Sequence, residues 1–303
     1  MRLLTYSPKS STSARVGFLR PNQHVVDLGE LMQKAKTPLI FDPCSMVSII
    51  ESGSEGQKIL REVEKLTDGV EVALDDICFH APIPRPRKNI FCVGWNYLEH
   101  FQEGEKILQS GQELPKYPVF FSKAVTAVTG PFDRIPYDNT VTDKLDWEVE
   151  LGVIIGKTGK NISEAEAMDH VFGYTVVNDI SARNLQKRHG GQWFKGKSLD
   201  GTCPFGPWIV TADEVNPNDL RVITRVNGET KQDSSTKYFY FKIPKLIEQL
   251  SLGMTLEPGD ILSTGTPQGV GFARTPPEYL RPGDIVETEI VGIGLMRNVI
   301  GSA

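Results

Sequence analysis

Residues 146–156 read DWEVELGVIIG, and apolar side chains alternate with other residues from Trp147 to Val153. This period of two is the pattern of a β-strand with one apolar face. Because neighbouring positions of a strand point to opposite faces, Glu148 and Glu150 are expected to lie together on the other face. A fold avoids two carboxylates at this spacing unless a cation or a basic side chain lies between them.

A third carboxylate, Asp179, follows the apolar run from Val171 to Val177, where a second strand is expected to leave the core. Three hard oxygen ligands without a neighbouring His or Cys suit Mg²⁺, Mn²⁺ or Ca²⁺ better than zinc. The pattern therefore predicts a metal site formed by Glu148, Glu150 and Asp179. An alternative stays open, since a Glu-x-Glu pair on a half-buried strand is often only its solvent-exposed face.

The composition limits both the class of protein and its partners. The 303 residues are 39% hydrophobic, which is enough for a sizeable core in one large domain or in one medium domain with a small appendage. The net charge of −5 comes without basic clusters, which argues against nucleic acid and favours a small ligand. No apolar run reaches the roughly 18 residues of a membrane span, and the four cysteines show no metal-type spacing, as expected in a reducing compartment.

The amino terminus allows two interpretations. It contains arginines, serines and threonines but no acidic residue before Asp27, a composition shared with transit peptides. However, Leu3–Tyr6, Val16–Leu19 and His24–Leu28 have the pattern of short strands joined by polar turns, which is typical of a folded domain. We therefore expect a cytoplasmic protein, with a mitochondrial location as the alternative.

The chain divides at a proline-rich segment. Residues 45–66 have helical spacing of apolar side chains, with a break at the glycine-containing turn 52–56. Alternating prolines in residues 81–88 favour an extended connector over regular structure. We therefore predict a small amino-terminal domain over residues 1–80 and a larger domain over residues 89–303.

A second group of candidate residues follows a short apolar strand. If a helix begins at Tyr97, His100 and Glu103 lie three residues apart on one face, and Glu103 can orient His100 as a general base. The alternative is an exposed ion pair without a catalytic role. Residues 104–117 form a long polar connection, which predicts a mobile lid.

Further polar candidates follow Asp179. A helix starting just after that residue places Arg183 and Gln186 close to the predicted metal site, where Arg183 is expected to bind the substrate and Gln186 to supply an amide donor. Lys197 is expected to balance the carboxylates and to stabilise a developing oxyanion, although a single lysine is most often a solvated surface residue.

The glycine-rich loop at residues 263–271 lacks the lysine and the spacing of a phosphate-binding loop. Its backbone amides, including that of Gly265, and the Thr266 hydroxyl are candidates for binding a substrate carboxylate. The alternative is that the loop is only a tight turn.

Taken in order, six motifs resemble those of one known family. They are Val93-Gly94-x-Asn96-Tyr97-x-x-His100-x-x-Glu103, Phe121-Ser122-Lys123, Trp147-Glu148-x-Glu150-Leu151, Asn178-Asp179-x-Ser181-Ala182-Arg183-x-x-Gln186, Gly196-Lys197-Ser198 and Thr264-Gly265-Thr266-Pro267-x-Gly269-Val270-Gly271. Together they resemble the fumarylacetoacetate hydrolase superfamily over residues 89–300. The first 80 residues are similar in plan to the amino-terminal domain of the branch that includes mitochondrial oxaloacetate tautomerases.

This resemblance implies a strand-rich α+β fold with a mixed β-roll or sandwich core, and a homodimer. It implies Mg²⁺ or Mn²⁺ on the three carboxylates, with Ca²⁺ as a further alternative, and a catalytic dyad of His100 and Glu103 on a closing lid. It also implies that Lys197 and Gln186 lie near the substrate and that Thr266 binds its carboxylate. The stretch between Glu103 and Pro118 is longer than the family pattern.

The resemblance implies chemistry on a small 2-oxo acid, in which an enolate is stabilised by the metal. The first expectation is hydrolysis of a C–C bond in a 2,4-dioxo acid of the acylpyruvate type. The alternative is an isomerase, an oxaloacetate keto–enol tautomerase, or a decarboxylase using the same site. A non-catalytic protein that binds oxo acids is a more distant alternative.

Overall fold

The computed structural model describes residues 1–67, residues 69–107 with the backbone of Leu108, residue 111 and residues 113–301. The helices are α1 (Leu28–Ala35), α2 (Met46–Glu51), α3 (Gly53–Glu64), α4 (Leu98–Leu108), α5 (Arg183–Arg188), α6 (Phe194–Lys197) and α7 (Ile243–Ser251). The strands are β1 (Arg2–Pro8), β2 (Arg15–Leu19), β3 (His24–Asp27), β4 (Glu71–Ala73), β5 (Ile77–Phe79), β6 (Ile90–Gly94), β7 (Val119–Lys123), β8 (Val128–Thr129), β9 (Ile135–Pro136), β10 (Leu145–Asp146), β11 (Val149–Ile155), β12 (Val171–Asn178), β13 (Ser181–Ala182), β14 (Cys203–Thr211), β15 (Arg221–Val226), β16 (Glu229–Ser235), β17 (Ile261–Ser263), β18 (Ile285–Ile290) and β19 (Gly294–Gly301).

The predicted strand that follows Trp147 lies inside the largest sheet. The strand order there is β4-β3-β2-β1-β14-β12-β11-β17-β6-β7, so β11 has β12 on one side and β17 on the other. Every residue of β11 is buried. Val149, Leu151 and Val153 pack in one apolar cluster, while Ile154 packs in another on the opposite side of the sheet. The alternative interpretation of Glu148 and Glu150 as an exposed strand face is therefore wrong, because both faces of β11 are covered.

The amino-terminal strands form as predicted, but the third is shorter. It ends at Asp27, whose carboxylate accepts a hydrogen bond from the Glu30 backbone N–H at 2.9 Å and caps α1. The expected strand residue Leu28 is therefore the first residue of a helix. Strand β1 pairs with β14 of the larger unit, so one sheet runs through both parts of the chain. The domain boundary at residues 81–88 stays a prediction.

The helical pattern of residues 45–66 forms α2 and α3, and the break falls early in the expected turn. Helix α2 ends at Glu51 with Ser52 as its C-cap, and Gly53 has a positive φ of 61°. Gly56 lies inside α3, where a Cβ atom would lie 1.6 Å from the Ser52 hydroxyl oxygen. Glycine at this position therefore permits close packing of the two helices rather than a turn.

A second sheet, with the order β16-β15-β18-β19-β9, contributes Val222, Ile290 and Met296 to the apolar cluster that contains Val149 of β11. The described structure is a strand-rich α+β fold with mixed sheets, as expected. Within the described part of the chain, no helix has the length and apolar character needed to cross a bilayer.

Candidate functional site

The pairing of β11 with β12 brings the three predicted carboxylates together. Val149 lies opposite Asn178, and the Asp179 backbone N–H donates to the Glu148 carbonyl at 2.9 Å, so Glu148 and Asp179 are the next opposed pair. Opposed residues of antiparallel strands share a face, which Glu150 shares with Glu148 at a spacing of two. One carboxylate oxygen from each of Glu148, Glu150 and Asp179 lies within 4.8 Å of the others, and all three residues are buried.

Three buried cations surround two of these carboxylates. The Lys197 ammonium bridges Glu148 at 2.6 Å and Asp179 at 2.7 Å, and the Lys123 ammonium donates to Asp179 at 2.8 Å. The Arg183 guanidinium lies 2.7 Å from Glu148. Burial alone would raise the pKa of the Glu148 carboxyl, but Lys197 and Arg183 lower it below its usual range. The same carboxylates raise the pKa of Lys197 against the effect of its burial, so its ammonium stays charged.

Glu150 differs from the other two carboxylates because no described Lys, Arg or His forms a salt bridge with it. Its Oε2 accepts hydrogen bonds from the Ser263 hydroxyl at 2.5 Å and the Gly265 backbone N–H at 2.9 Å, both neutral donors. Burial raises the pKa of the Glu150 carboxyl well above its usual value, and repulsion from Asp179 and Glu148 raises it further. Glu150 is therefore the member of the cluster that has no cationic partner among the described residues.

A divalent cation fits this local deficit. Its ligands would be hard carboxylate oxygens that lie within 4.8 Å of one another. Oxygen ligands of this kind are preferred by Mg²⁺ and Mn²⁺. The charge that it adds would allow Glu150 to remain ionised in a buried position. The chemistry of the donors therefore agrees with the predicted metal site, and Glu148, Glu150 and Asp179 are the residues that would hold the ion.

The predicted His–Glu pair lies on α4 as expected. The His100 Nδ1 atom lies 2.9 Å from Glu103 Oε1, and the Gly269 backbone N–H donates to both oxygens of Glu103 at 3.1 and 3.0 Å. A carboxylate accepts hydrogen bonds, so a neutral imidazole here would donate from Nδ1–H to Glu103 and would leave Nε2 as the acceptor. His100 is 8% exposed and borders the same cavity as Glu148, so the alternative of an exposed ion pair is wrong as to exposure, and the catalytic role stays a prediction.

A cavity of about 410 Å³ connects His100 with Glu148 and Glu150. One of its walls is aromatic: the Trp193 ring lies edge to face against Trp95 at 5.0 Å and against Phe121 at 5.2 Å between centroids. Trp193 also needs the glycine at position 94, because a Cβ there would lie 2.3 Å from its indole ring. A cavity of this size accepts a small organic acid together with a metal ion.

Four predicted site residues remain, and their polar groups have different partners. They are Arg183, Gln186, Thr266 and Gly265. Arg183 and Gln186 both border the cavity, but the Arg183 Nε–H donates to Asp146 at 2.8 Å and its Nη1 donates to the Gln186 amide oxygen at 3.2 Å. Thr266 also borders the cavity. The Gly265 N–H is directed to Glu150 instead, which places Gly265 behind the carboxylate cluster rather than beside a substrate.

Three polar residues that support the site are not among the residues predicted from the sequence, namely Lys123, Asp146 and Gln232. Asp146 accepts hydrogen bonds from the Gly271 N–H at 2.6 Å and from Arg183, and its spacing of two from Glu148 was a usable signal. The amide group of Gln232 donates to Thr266 at 2.8 Å, but its strand β16 is polar throughout and gave no signal. Lys123 belongs to the Phe121-Ser122-Lys123 motif, which carries no indication of its partner.

The predicted lid over residues 104–117 is helical at its start. Residues 104–108 continue α4, and Ile107 borders the cavity although its side chain is 46% exposed. Residues 109, 110 and 112 lie outside the described part of the chain, so the lid stays a prediction.

The fold and the cavity first define a class of protein. A buried carboxylate cluster and a His–Glu pair that face one cavity are typical of an enzyme acting on a small molecule. Residues 89–301 match the family described as fumarylacetoacetate (FAA) hydrolase C-terminal. The match covers more than half of the chain, and the chain belongs to this family, as the order of its motifs predicted.

Two relatives share most of their length with this chain. The oxaloacetate tautomerase YisK of Bacillus subtilis (strain 168) is 45% identical over 297 residues, which cover 94% of this chain and 96% of the relative. A mitochondrial oxaloacetate tautomerase of Xenopus laevis is 40% identical over 307 residues, which cover 99% and 90% of the two chains.

Two solved structures resemble the whole chain. The fumarylacetoacetate hydrolase of psychrophilic Exiguobacterium antarcticum has a TM-score of 0.83 and 38% identity, with full coverage of both chains. The maleylpyruvate hydrolase of Sphingobium sp. SYK-6 has a TM-score of 0.79 and 28% identity, again with full coverage, and was solved with manganese(II) and pyruvate.

Proposed function

We propose that the chain is a divalent-metal-dependent oxaloacetate tautomerase, an isomerase that interconverts the keto and enol forms of this 2-oxo acid. The observation that carries the proposal is the 45% identity to an oxaloacetate tautomerase over nearly the whole of both chains. The site supports it, because tautomerisation requires one base and a stabilised enolate oxygen, and the cavity contains groups suited to both roles.

The base is His100. Glu103 fixes its ring through the 2.9 Å contact to Nδ1, so Nε2 takes a proton from the carbon between the ketone and the distal carboxylate. Gly269 holds Glu103 in turn, which limits the motion of the pair. The same nitrogen returns the proton in the opposite direction of the reaction.

The positive charge beside the reacting oxygens comes from two sources. Lys197 stays charged between Glu148 and Asp179 and borders the cavity. A divalent ion on Glu148, Glu150 and Asp179 would supply Lewis-acid stabilisation of the enolate when bound. The aromatic wall makes this side of the cavity apolar, which strengthens both electrostatic interactions.

Hydrolysis of a C–C bond, the first expectation from the sequence, is the second candidate. It is favoured by the likeness to a maleylpyruvate hydrolase over the full chain, and it uses the same residues with His100 activating a water molecule. The tautomerase ranks first because the two proteins named as such are more similar in sequence. A homodimer and a cytoplasmic location remain part of the proposal.

The test follows the ultraviolet absorbance of enol-oxaloacetate with Mg²⁺, beside a parallel reaction with acetylpyruvate, and assays pyruvate at the end of each. A tautomerase accelerates the decay of the enol signal without forming pyruvate. Release of pyruvate from acetylpyruvate instead identifies a hydrolase, and its release from oxaloacetate identifies a decarboxylase.

The matched variants are His100→Asn and Glu99→Gln, which change neighbouring side chains of α4. Loss of the base lowers kcat by about 10²–10⁴-fold, whereas the exposed Glu99 is expected to have no effect. Binding of Mg²⁺ without turnover of either acid would overturn the proposal in favour of an oxo-acid-binding protein.

A further inference from the structure

The cations that border the cavity form two groups with different partners. Arg183 and Lys197 are bound to the buried carboxylates at its base. Lys144 and Lys187 also border the cavity, but no carboxylate of the described residues forms a salt bridge with either ammonium group. Each cation of the first group is paired with a carboxylate of the protein, whereas the ammonium groups of the second group have no carboxylate partner among the described residues and are available to a ligand.

Helix α5 places Lys187 one turn from Arg183, whose guanidinium contacts the metal-site residue Glu148. Arg183, Gln186 and Lys187 have the spacing i, i+3 and i+4, which puts them on one face of the helix, and all three border the cavity. Arg183 lies at the buried end against Glu148, whereas Lys187 is exposed. One face of α5 therefore carries these three polar side chains from the carboxylate cluster to the solvent-exposed mouth of the cavity.

Lys144 is held beside the start of the same helix. Its carbonyl accepts a hydrogen bond from the Arg183 backbone N–H at 3.0 Å, and its ammonium lies 6.0 Å from the centroid of the Tyr279 ring, which is also part of the cavity wall. Next to it, the Asn184 amide oxygen accepts a hydrogen bond from Thr142 at 2.6 Å. That contact directs the amide and leaves its N–H₂ group without an acceptor among the described residues.

Two groups of residues that line the cavity therefore differ in chemistry. The wall formed by Trp95, Phe121 and Trp193 offers ring faces and edges to a ligand. The wall formed by Lys144, Asn184 and Lys187 offers two ammonium groups and an amide donor. A second anionic group on a ligand bound at the carboxylate cluster is stabilised by only one of these walls.

We propose that Lys144 and Lys187 bind the distal carboxylate of a dicarboxylic 2-oxo acid and select such substrates over 2-oxo acids with one carboxylate. This inference rests on the proposed function and adds a recognition site to it. Asn184 completes the site as a neutral donor. The two lysines act through substrate binding and take no part in proton transfer.

The test compares oxaloacetate with 2-oxobutanoate, in which a methyl group replaces the distal carboxylate. Binding of each acid to the Mg²⁺-loaded protein is followed through the fluorescence of Trp95 and Trp193 in the cavity wall. The variants are Lys144→Met, Lys187→Met and the double substitution, and Lys195→Met removes the same charge from an exposed position outside the cavity.

The double variant is expected to bind oxaloacetate about tenfold more weakly, since a charge-assisted contact of roughly 1.4 kcal/mol corresponds to that factor. The affinity of the double variant for 2-oxobutanoate is expected to stay within twofold of that of the unmodified protein. The Lys195→Met variant is expected to bind both acids as tightly as the unmodified protein does. In turnover of oxaloacetate, KM rises while kcat stays within about twofold, because this contact is the same in the ground and transition states.

The possible results distinguish a failure of the recognition site from a failure of the proposed function. If the double variant keeps the full preference for oxaloacetate, or weakens the binding of both acids equally, the recognition site is wrong. If the preference is lost in the double variant while the unmodified protein shows no tautomerase activity, the recognition site stands and the proposed reaction fails. If the unmodified protein binds neither acid, the recognition site is wrong as well.

Discussion

Two ion pairs of this protein have nearly the same length but lie in opposite environments. Lys123 and Asp179 are 2.8 Å apart, and both side chains are 0% exposed. Arg221 and Asp233 make contacts of 2.8 and 2.6 Å across β15 and β16, with side chains 60% and 41% exposed. The comparison teaches that the distance between charges does not set the energy of a pair, since water screens one of them and is excluded from the other.

The buried pair is also part of a set whose members depend on one another. Asp179 binds Lys123 and Lys197, and Lys197 binds Glu148. Removing one charge therefore leaves its neighbours buried and incompletely compensated, which is the costly case for an ion in a protein interior. The exposed pair has no such consequence, because water solvates whichever partner remains.

The largest expected effect comes from Lys123→Met. This substitution keeps most of the side-chain volume but removes one cation from Asp179, so we expect the free energy of unfolding to fall by about 3 kcal/mol, the lower end of the usual range because Lys197 remains. Urea denaturation of the metal-free protein measures the change. A loss below about 1 kcal/mol would place this pair in the same class as the exposed one.

A smaller effect, dependent on pH and metal, is expected for Glu150→Gln. Burial, with Asp179 and Glu148, holds the pKa of Glu150 well above the ordinary 4.5, so the folded protein binds this proton more strongly than the unfolded chain. Glu150 therefore contributes stability that is present below pH 4.5 and is lost as the pH rises through its folded-state pKa. The substitution is expected to remove this part of the pH dependence from the metal-free protein.

The Glu150→Gln variant also tests whether Glu150 is a ligand of the metal. Mg²⁺ at 100 times its Kd is expected to stabilise the unmodified protein by about 2.7 kcal/mol, and to stabilise Glu150→Gln much less because a ligand is lost. Thermal unfolding with Mg²⁺ and with a chelator measures the stabilisation of each protein by the metal. Equal stabilisation of the two proteins by Mg²⁺ would remove Glu150 from the set of metal ligands.

The sequence predicts the carboxylates of the site better than it predicts the buried Lys123 that pairs with one of them, for physical reasons. Glu148 and Glu150 were predictable because strand periodicity fixes the face of each residue. Asp179 was predictable because it follows an apolar run. Lys123 could not be assigned a partner, since 55 residues separate it from Asp179 and only the order of strands in the sheet determines where β7 lies. The covering of both faces of β11 is likewise a property of distant segments rather than of the strand itself.

The smallest expected effect is that of Arg221→Met. Asp233 stays solvated after the substitution, and the strands remain joined by the backbone pairing of Ile223 with Asp233 and of Val222 with Ser234. We therefore expect a urea midpoint that cannot be distinguished from that of the unmodified protein, at low and at high salt. A salt-dependent loss comparable with that of Lys123→Met would show that the geometry of the Arg221 contacts, rather than burial, decides the energy of both pairs.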